Sequence, residues 1–342
     1  MKAMVLKRIA RLAENPNPLE AAELPTPVPG QGDLLVKVSA CGVCHTELDE
    51  IEGRTPPAFL PIVLGHQAVG RVVAFGPAVT GFAAGDRVGI AWIFSACGDC
   101  AHCLSDGENL CERFQATGRD AHGGYAEFVV VPAAFAHSIP ETFSDTEAAP
   151  LLCAGAIGFR SLRLAGIRDG DALGLTGFGA SAHLVLKMVR RRLPRTRIFV
   201  FARSAAEQGF ARDLGAFWAG GTESRPPEAL DAVIDTTPAW RPVVAALAVL
   251  KSGGRLVINA IRKEDADREV LLRLDYAAHL WREKEIKSVA NVTRRDVREF
   301  LELAGEIPIK PEVEVYPLTE ANRALADLTA RRVRGAKVLR ID

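Results

Sequence analysis

The sequence of 342 residues lacks a surplus of either charge, because Lys plus Arg and Asp plus Glu number 42 each. This balance gives no general attraction to nucleic acid or to an anionic membrane surface. The sequence also lacks an uninterrupted apolar run of the roughly 18 residues that would span a bilayer, and its first residues lack the pattern of a signal peptide. Internal repeats and low-complexity segments are absent as well. We therefore expect a cytoplasmic protein that binds neither nucleic acid nor membrane.

The chain is long enough for two domains, since domains of roughly 150 residues are ordinary. Its hydrophobic share of 48% and charged share of 25% are usual for a soluble globular protein. In the first half, short apolar segments are separated by Pro and Gly clusters. This pattern predicts a β-rich domain, with strands over residues 33–38, 70–75 and 125–131.

From about residue 154, predicted strands alternate with predicted helices, which indicates a parallel, doubly wound sheet. A further helix begins at Thr293, where Asp296 completes a capping-box pattern. Strand-like sequence in the tail, over residues 312–315 and 337–341, is expected to rejoin the first domain. The predicted strands of the second half cover residues 171–176, 197–202, 231–235, 255–260 and 285–290, and the helices cover residues 181–192, 205–214 and 240–250.

Four of the seven cysteines lie in one short segment with C-x2-C-x2-C-x7-C spacing: Cys97, Cys100, Cys103 and Cys111. Four neighbouring thiolates can close a tetrahedral shell around a structural zinc ion. An iron–sulfur cluster is a rival, because C-x2-C-x2-C also opens the ferredoxin motif, but here Glu112 and not Pro follows the displaced fourth cysteine. Unliganded thiols or disulfides fit a reducing compartment less well. The spacing therefore favours structural zinc.

A second candidate metal set is dispersed along the first half of the chain: Cys44, His66 and Cys153. Taken singly, a cysteine is usually a small buried hydrophobe and a histidine an ordinary polar residue. Two cysteines and one histidine together form a catalytic zinc set that leaves a fourth position open for substrate. The set therefore suggests a catalytic zinc site.

These segments, the cysteine segment and the later strand–helix alternation resemble the zinc-containing medium-chain alcohol dehydrogenases over essentially the whole chain. The resemblance implies an α/β fold. It would comprise a GroES-like, β-rich catalytic domain (residues 1–153), a Rossmann dinucleotide-binding domain with a doubly wound parallel sheet (residues 154–290) and a C-terminal segment returning to the catalytic domain (residues 291–342). It also implies two zinc ions per chain and a nicotinamide cofactor.

The resemblance assigns roles around the catalytic zinc. Thr46 would hydrogen-bond the substrate oxygen, and Glu47 would orient the zinc-bound histidine. His45 matches a basic position near the cofactor pyrophosphate. Trp92 matches a substrate-pocket aromatic, although ordinary core packing explains it equally well. When bound, zinc acts as a Lewis acid on the alcohol oxygen, while nicotinamide exchanges the hydride.

Two positions depart from the family pattern. Many members carry Glu directly after the zinc-binding histidine, whereas this chain has Gln67. Many also have a proton-relay histidine where this chain has Asp49. Asp49 can accept a proton, but a carboxylate is a weaker base than the imidazole of histidine.

The second half contains a glycine-rich segment, Gly174-Leu175-Thr176-Gly177-Phe178-Gly179, between a predicted strand and a predicted helix. Such glycines let the backbone approach a pyrophosphate at a helix N-terminus. Thr176 stands where the second motif glycine usually lies, and glycine turns also occur without a nucleotide, so the zinc motifs carry much of this assignment. By family analogy, Thr236, Ala260 and Asn291 border the nicotinamide.

Cofactor choice is indicated at the end of the second predicted strand of this domain. NAD-selective sites usually place Asp or Glu there, whereas this chain has Ala202 followed by Arg203. Arg203 could bind a 2′-phosphate, which slightly favours NADP(H). The alternative is that Arg203 stacks on adenine or faces solvent.

From this resemblance we expect a zinc-dependent alcohol dehydrogenase that interconverts alcohols with aldehydes or ketones and forms a homo-oligomer, either a dimer or a tetramer. A polyol dehydrogenase or an enoyl or quinone reductase of the same superfamily is the nearest alternative. The enoyl and quinone reductases generally lack the zinc ligands. A third possibility is a non-enzymatic protein held together by zinc, which would sense redox state or bind nucleic acid. The balanced charge disfavours nucleic-acid binding.

Overall fold

A computed structural model describes residues 1–307, 309–330 and 335–342. The described chain divides into two compact units. Unit 1 comprises Met1–Ala156 and Val292–Asp342, and unit 2 comprises Ile157–Asn291.

The strands are numbered in chain order. They are β1 Lys2–Leu6, β2 Leu19–Glu23, β3 Asp33–Val43, β4 Ile62–Val63, β5 Ala68–Phe75, β6 Arg87–Ile90, β7 Ile93–Ser95, β8 Gln115–Ala116, β9 Phe128–Pro132, β10 Ala136–Ser138, β11 Ala172–Thr176, β12 Arg197–Phe201, β13 Trp218–Gly220, β14 Leu230–Asp235, β15 Leu250–Ile258, β16 Glu285–Ser288, β17 Val313–Pro317 and β18 Ala336–Arg340.

The α-helices are likewise numbered in chain order. They are α1 His45–Ile51, α2 Ala101–Leu104, α3 Asp145–Ala148, α4 Ala154–Ala165, α5 Ala180–Arg192, α6 Ala205–Asp213, α7 Arg241–Val249, α8 Arg294–Glu306 and α9 Ala321–Thr329. Short 3₁₀ turns cover Glu108–Leu110, Ala133–Phe135, Ala149–Leu152, Arg268–Arg273 and Leu318–Glu320, and one π turn covers Tyr276–Leu280.

Unit 1 is built on a sheet with the order β10-β6-β5-β3-β18-β17, in which β9 also pairs with β3. The long strand β3 is its centre, because it pairs antiparallel with β5, β9 and β18. In the last of these pairs, Lys337 of the tail lies opposite Val43. The tail therefore completes the sheet beside the residues that lead into α1.

Unit 2 contains one sheet with the order β13-β12-β11-β14-β15-β16, in which neighbouring strands pair parallel. Numbered within the unit, this order is 3-2-1-4-5-6, the order of a doubly wound nucleotide-binding sheet. Its inner strands are almost completely buried, as expected of a parallel sheet covered by helices. The predicted doubly wound parallel sheet is confirmed.

The stretch Asp145–Ala165, within the described residues, is long and apolar enough to cross a membrane by length and composition alone. It includes α3 and α4, and 61% of its most apolar window is buried. This burial is typical of a core helix of a folded domain.

Candidate active site

The first candidate metal site lies in unit 1, where three chain segments meet. Cys44 directly follows β3 and precedes α1, while His66 lies between β4 and β5. These two segments are held together because Gly42 N–H donates to the Gln67 carbonyl (3.0 Å) and because β3 pairs with β5. Cys153 follows a 3₁₀ turn and immediately precedes α4. The sheet thus gathers ligands that are far apart in sequence.

The donor atoms of this site are arranged to hold a metal ion. The sulfur atoms of Cys44 and Cys153 and a ring nitrogen of His66 all lie within 4.8 Å of one another. His66 Nδ1 lies 2.6 Å from Oε1 of the buried Glu47, whereas its Nε2 is buried and has no hydrogen-bond partner among the described residues. An Nδ1–H bonded to a carboxylate leaves the Nε2 lone pair for a metal. The residues therefore fit a catalytic zinc ion with an open position.

Glu47 also organises the backbone at this site. Its Oε2 accepts a hydrogen bond from the Cys44 N–H (2.8 Å), which satisfies a donor at the start of α1. One buried carboxylate therefore fixes the histidine ring and the backbone that carries the first thiol. This geometry agrees with the orienting role expected of Glu47.

The thiol pair is electrostatically asymmetric. Cys153, and to a lesser degree His66, hold the pKa of Cys44 well below its ordinary value, against the effect of burial. Interaction with Cys44 and burial raise the pKa of Cys153. Although burial opposes it, the charge of Glu47 raises the pKa of His66. Because metal ligands bind deprotonated, zinc binding at this site releases protons.

Four other predicted residues lie near the first thiol in sequence or space. Thr46 Oγ1 lies 3.7 Å from the Cys44 sulfur, while His45 is exposed. The buried Asp49 accepts a hydrogen bond from Arg54 Nε (2.5 Å), so its charge is paired. Gln67 is 3% exposed.

The chain has glycine at position 42 because Gln67 occupies the space beside it. A Cβ at Gly42 would lie 2.5 Å from Gln67 Oε1. Trp92, by contrast, is part of the buried core of unit 1, where its ring packs against Phe114 at 5.2 Å between centroids. Its position therefore agrees with core packing, and its proposed contact with substrate stays a prediction.

The second candidate metal site is the cysteine lobe. The sulfur atoms of all four of its cysteines lie within 4.8 Å of one another, with 3.6 Å between Cys97 and Cys103 and 3.4 Å between Cys97 and Cys111. Tetrahedral zinc with bonds of about 2.3 Å requires sulfur atoms about 3.8 Å apart. All seven cysteines of the chain are free, so none is used in a disulfide. The lobe fits a closed structural zinc site.

Sequence reasoning missed the residue that anchors this lobe. Glu108 lies within it and is almost completely buried. Its Oε1 accepts hydrogen bonds from the backbone N–H (2.7 Å) and Nε (3.1 Å) of Arg294 at the start of α8. The only signal in the sequence was the pair of acids between the third and fourth cysteines, Asp106 and Glu108, and such acids are usually exposed.

In unit 2, the glycine-rich turn is shorter than the predicted segment. Gly174 lies in the middle of β11, where a Cβ would approach side chains of Leu230 and Val233 to 2.8 Å, and Thr176 is the last residue of that strand. The turn itself begins at Gly177, whose φ of 75° favours glycine. Gly179 then caps the start of α5. Gly174 is thus explained by packing within the sheet.

The other predicted cofactor residues lie at the carboxyl ends of the strands, where ligands of such sheets bind. Thr236 follows β14 and donates from N and Oγ1 to the Thr176 carbonyl (3.0 and 2.9 Å). Ala202 follows β12 and is buried, whereas the next residue, Arg203, is exposed. Ala260 follows β15, and Asn291 has a left-handed φ of 59°. Phe178 is buried against Phe210, with ring centroids 5.5 Å apart.

A buried ion pair at the same edge of the sheet was also missed. Asp235, at the end of β14, is fully buried and binds Thr176 Oγ1 and Lys263 Nζ. Lys263 also donates to the carbonyl oxygens of Thr237 (2.8 Å) and Ala239 (3.0 Å). The pair holds the loop after β14 in place, a role that depends on tertiary contacts and has no sequence motif.

Comparisons with known proteins agree with this architecture. Residues 30–141 match the alcohol dehydrogenase GroES-like domain family, and residues 213–339 match the zinc-binding dehydrogenase family. The probable alcohol dehydrogenase AdhA of Mycobacterium tuberculosis is 44% identical over 329 residues, which are 95% of this chain and 93% of that protein.

Solved structures show the same likeness over the whole chain. An NAD-dependent alcohol dehydrogenase is 28% identical with a TM-score of 0.86, and the match covers 100% of both chains. A cinnamyl alcohol dehydrogenase of Sorghum bicolor is 26% identical with a TM-score of 0.86, covering 99% of this chain and 97% of that one.

The fold and the two thiolate-rich sites define a zinc-dependent oxidoreductase with a GroES-like domain and a nucleotide-binding sheet. The chain belongs to the zinc-containing medium-chain alcohol dehydrogenase family, and it is an alcohol dehydrogenase with a catalytic Cys-His-Cys site and a structural four-cysteine site. Alcohols, carbonyl compounds and NAD(P) are its reactants.

Proposed function

We propose that the chain oxidises primary or secondary alcohols, and reduces the matching aldehydes or ketones, at the site of Cys44, His66 and Cys153. The observation that carries this proposal is the buried Nε2 of His66, which lies beside two thiols and has no hydrogen-bond partner in the described part of the chain. When bound, zinc supplies Lewis acidity at the substrate oxygen. In this proposal residues 1–153 and 291–342 form the catalytic domain, and residues 154–290 bind the cofactor.

The protein's own residues then act on the substrate and its proton. Thr46, whose hydroxyl lies near the first thiol, accepts a hydrogen bond from the alcohol hydroxyl and orients its oxygen. As Thr46 takes the alcohol proton, it releases its own hydroxyl proton. Asp49 is the candidate for passing that proton onward, and its ion pair with Arg54 must loosen for it to do so. Gln67, unlike a glutamate at this position, adds no further negative charge beside His66. His45, being exposed, is available to a cofactor phosphate.

The test is turnover followed by nicotinamide absorbance, with a panel of primary alcohols, secondary alcohols, polyols and aldehydes. We expect activity with simple alcohols and aldehydes, and its loss in Thr46→Ala with zinc content unchanged. Activity confined to polyols or to enoyl substrates would contradict the proposal in favour of another reaction of the superfamily.

We further propose that the glycine turn at Gly177 and Gly179 binds the cofactor pyrophosphate at the start of α5. Ala182, fully buried three residues after Gly179, takes the position of the third small residue of the fingerprint. Thr236, Ala260 and Asn291 border the nicotinamide. Gly174 and Thr176 support this loop from within β11.

The preferred cofactor is proposed to be NADP(H), by a modest margin. Ala202 offers no carboxylate to a ribose 2′-hydroxyl, and Arg203 is exposed and makes no ion pair among the described residues. A charge-assisted bond to a 2′-phosphate contributes roughly 1.5–3 kcal/mol, about ten- to a hundredfold in binding.

The measurement is kcat/KM for both cofactors in the parent enzyme, Ala202→Asp and Arg203→Ala. We expect Ala202→Asp to reverse the preference and Arg203→Ala to weaken NADP(H) selectively. A parent that prefers NAD(H), with a ratio unchanged in Arg203→Ala, would show that Arg203 does not bind the phosphate.

A homo-oligomer is proposed from the edge of the unit 2 sheet. Strand β16 pairs only with β15 among the described strands, and all four of its residues are exposed, including Ile286 at 48%. An exposed edge with apolar side chains is a surface for pairing with another chain. A second copy related by a two-fold axis, with its β16 antiparallel to the first, would give a dimer, and Ile286→Lys is expected to shift sedimentation towards the monomer. We place the enzyme in the cytoplasm, since its seven cysteines are free.

A further inference from the structure

Glu50 is a buried acid that has no role in the active site as described above. It lies in α1 and has no exposed surface. Neither of its carboxyl oxygens has a hydrogen-bond partner among the described residues. Burying a carboxyl group without a partner is costly, so such a group requires an explanation in function or in a missing counter-charge.

The position of Glu50 relates it to the catalytic metal site. It follows Glu47 by three residues, and residues with this spacing share a helix face. Glu47 is the carboxylate that contacts both the His66 ring (2.6 Å) and the Cys44 N–H (2.8 Å). Glu50 therefore lies on the side of α1 that carries the contacts to the ligands.

The charges that act on Glu50 belong to the same site. Burial, followed by the negative charges of Glu47 and Cys44, raises the pKa of Glu50 well above its ordinary value, whereas His66 and Arg119 lower it. Arg119 is already paired with Asp120 at 2.6 Å. The charges of Cys44 and His66 act on Glu50 directly, so the metal-ligand site lies within electrostatic reach of this carboxyl group, and a cation bound there would compensate its charge.

We propose that Glu50 is a positioning residue of the catalytic metal centre, whose buried carboxylate strengthens zinc binding by Cys44, His66 and Cys153. It acts through its charge and not as a ligand. The oxygens of Glu50 are not among the donor atoms within 4.8 Å of one another that the described residues place in this centre. Since Gln67 is neutral, Glu50 provides negative charge that position 67 does not.

The direct test is the affinity of the catalytic site for metal in the parent enzyme and in Glu50→Gln, which keeps the shape and removes the charge. The catalytic zinc is exchanged for Co²⁺, whose thiolate absorption band reports occupancy of this site, and dissociation constants are measured by chelator competition. Removing groups that support metal ligands typically weakens binding ten- to a hundredfold. We expect a loss of roughly that size in Glu50→Gln.

Two further variants separate charge from packing. Glu50→Gln/Gln67→Glu restores a negative charge from another position and is expected to recover most of the metal affinity. Glu108→Gln removes a buried acid from the cysteine lobe of the same unit and is expected to leave the affinity of the catalytic site unchanged.

Thermal unfolding of both proteins, measured without metal at the catalytic site, shows whether Glu50→Gln is folded and stable before metal binds. Glu50→Gln removes an unpaired buried acid, so its unfolding temperature is expected to equal or exceed that of the parent, while the increase on adding metal is expected to be smaller. A cobalt affinity within twofold of the parent, or a loss that Gln67→Glu does not recover, would overturn the proposal and leave Glu50 as a buried acid without influence on the metal.

Discussion

At the scale of single residues, the metal ligands could be predicted because zinc chemistry restricts the residue types. Thiolate and imidazole are preferred ligands, so a cysteine cluster and a separate Cys-His-Cys set carried information even without coordinates. Both ligand sets are confirmed. Glu50 and Glu108 could not be predicted, because nothing in the sequence distinguishes a buried glutamate from the usual exposed one.

The side chain at position 67 is expected to influence the acidity of an alcohol bound at the catalytic site. A neutral amide next to the ligand His66 leaves the bound zinc more electrophilic than a carboxylate would, so Gln67→Glu is expected to raise the pKa seen in the alcohol-oxidation profile. The pH dependence of kcat/KM is measured for both forms under conditions where hydride transfer limits the rate, which a deuterated alcohol verifies. Coincident profiles would mean that the charge at position 67 does not reach the substrate.

At the scale of elements, the alternation of strands and helices predicted the sheet of unit 2. The hydrophobic periodicity of a strand and that of a helix can both be read from local sequence. The glycine segment was less informative. Gly174 and Gly177 are both glycines, but for different reasons. At Gly174 a Cβ would collide with side chains of the neighbouring strand, whereas Gly177 adopts a left-handed backbone conformation. Only the register of β11 against β14 distinguishes them, and register is a tertiary property.

This difference gives a matched pair of variants. Gly174→Ala is expected to lower the free energy of unfolding by about 1–3 kcal/mol through overpacking against Leu230 and Val233. Gly177→Ala combines a left-handed φ with a Cβ 2.9 Å from Thr236 Oγ1, so it is expected to raise the KM for cofactor. Denaturant unfolding and cofactor kinetics measure the two effects. An unchanged cofactor KM in Gly177→Ala would place the pyrophosphate elsewhere.

Helix α5 also carries a pH-sensitive residue. His183 is buried, and its Nδ1 lies 3.1 Å from the Gly179 carbonyl. Its Nε2 has no hydrogen-bond partner within the residues that the structure describes. Burial lowers the pKa of His183 from 6.5 to about 4. Between these values the unfolded chain binds more protons than the folded chain, so the contribution of His183 to stability is present above pH 6.5 and is lost as the pH falls towards 4.

The predicted slope from this group is at most about 1.4 kcal/mol per pH unit. Denaturant unfolding of the parent and of His183→Gln, measured between pH 6.5 and about 4, isolates the contribution of His183 to stability. The other titrating groups are common to both proteins. The stability difference between them is expected to shrink on acidification by about 3 kcal/mol in total. A difference independent of pH would show that His183 is protonated in the folded protein.

At the scale of the whole molecule, the sequence predicted the fold class, but contacts between distant segments appear only in the structure. The tail strand β18 pairs with β3 beside the segment that leads to Cys44. Glu108 joins the cysteine lobe to α8 across 186 residues of sequence. Strand-like sequence predicted that the tail rejoins the first domain, but neither the partner strand of β18 nor the partner of Glu108 has a local sequence pattern, because both depend on long-range packing.

The most direct test of the central claim compares turnover with zinc content in the parent, Cys44→Ser and Cys103→Ser. We predict two zinc ions per chain in the parent enzyme. Cys44→Ser should keep its fold and one zinc but lose alcohol oxidation, whereas Cys103→Ser should lose thermal stability through the structural site. Full turnover in Cys44→Ser, or an active parent with fewer than two tightly bound zinc ions, would contradict the assignment of one catalytic and one structural zinc site.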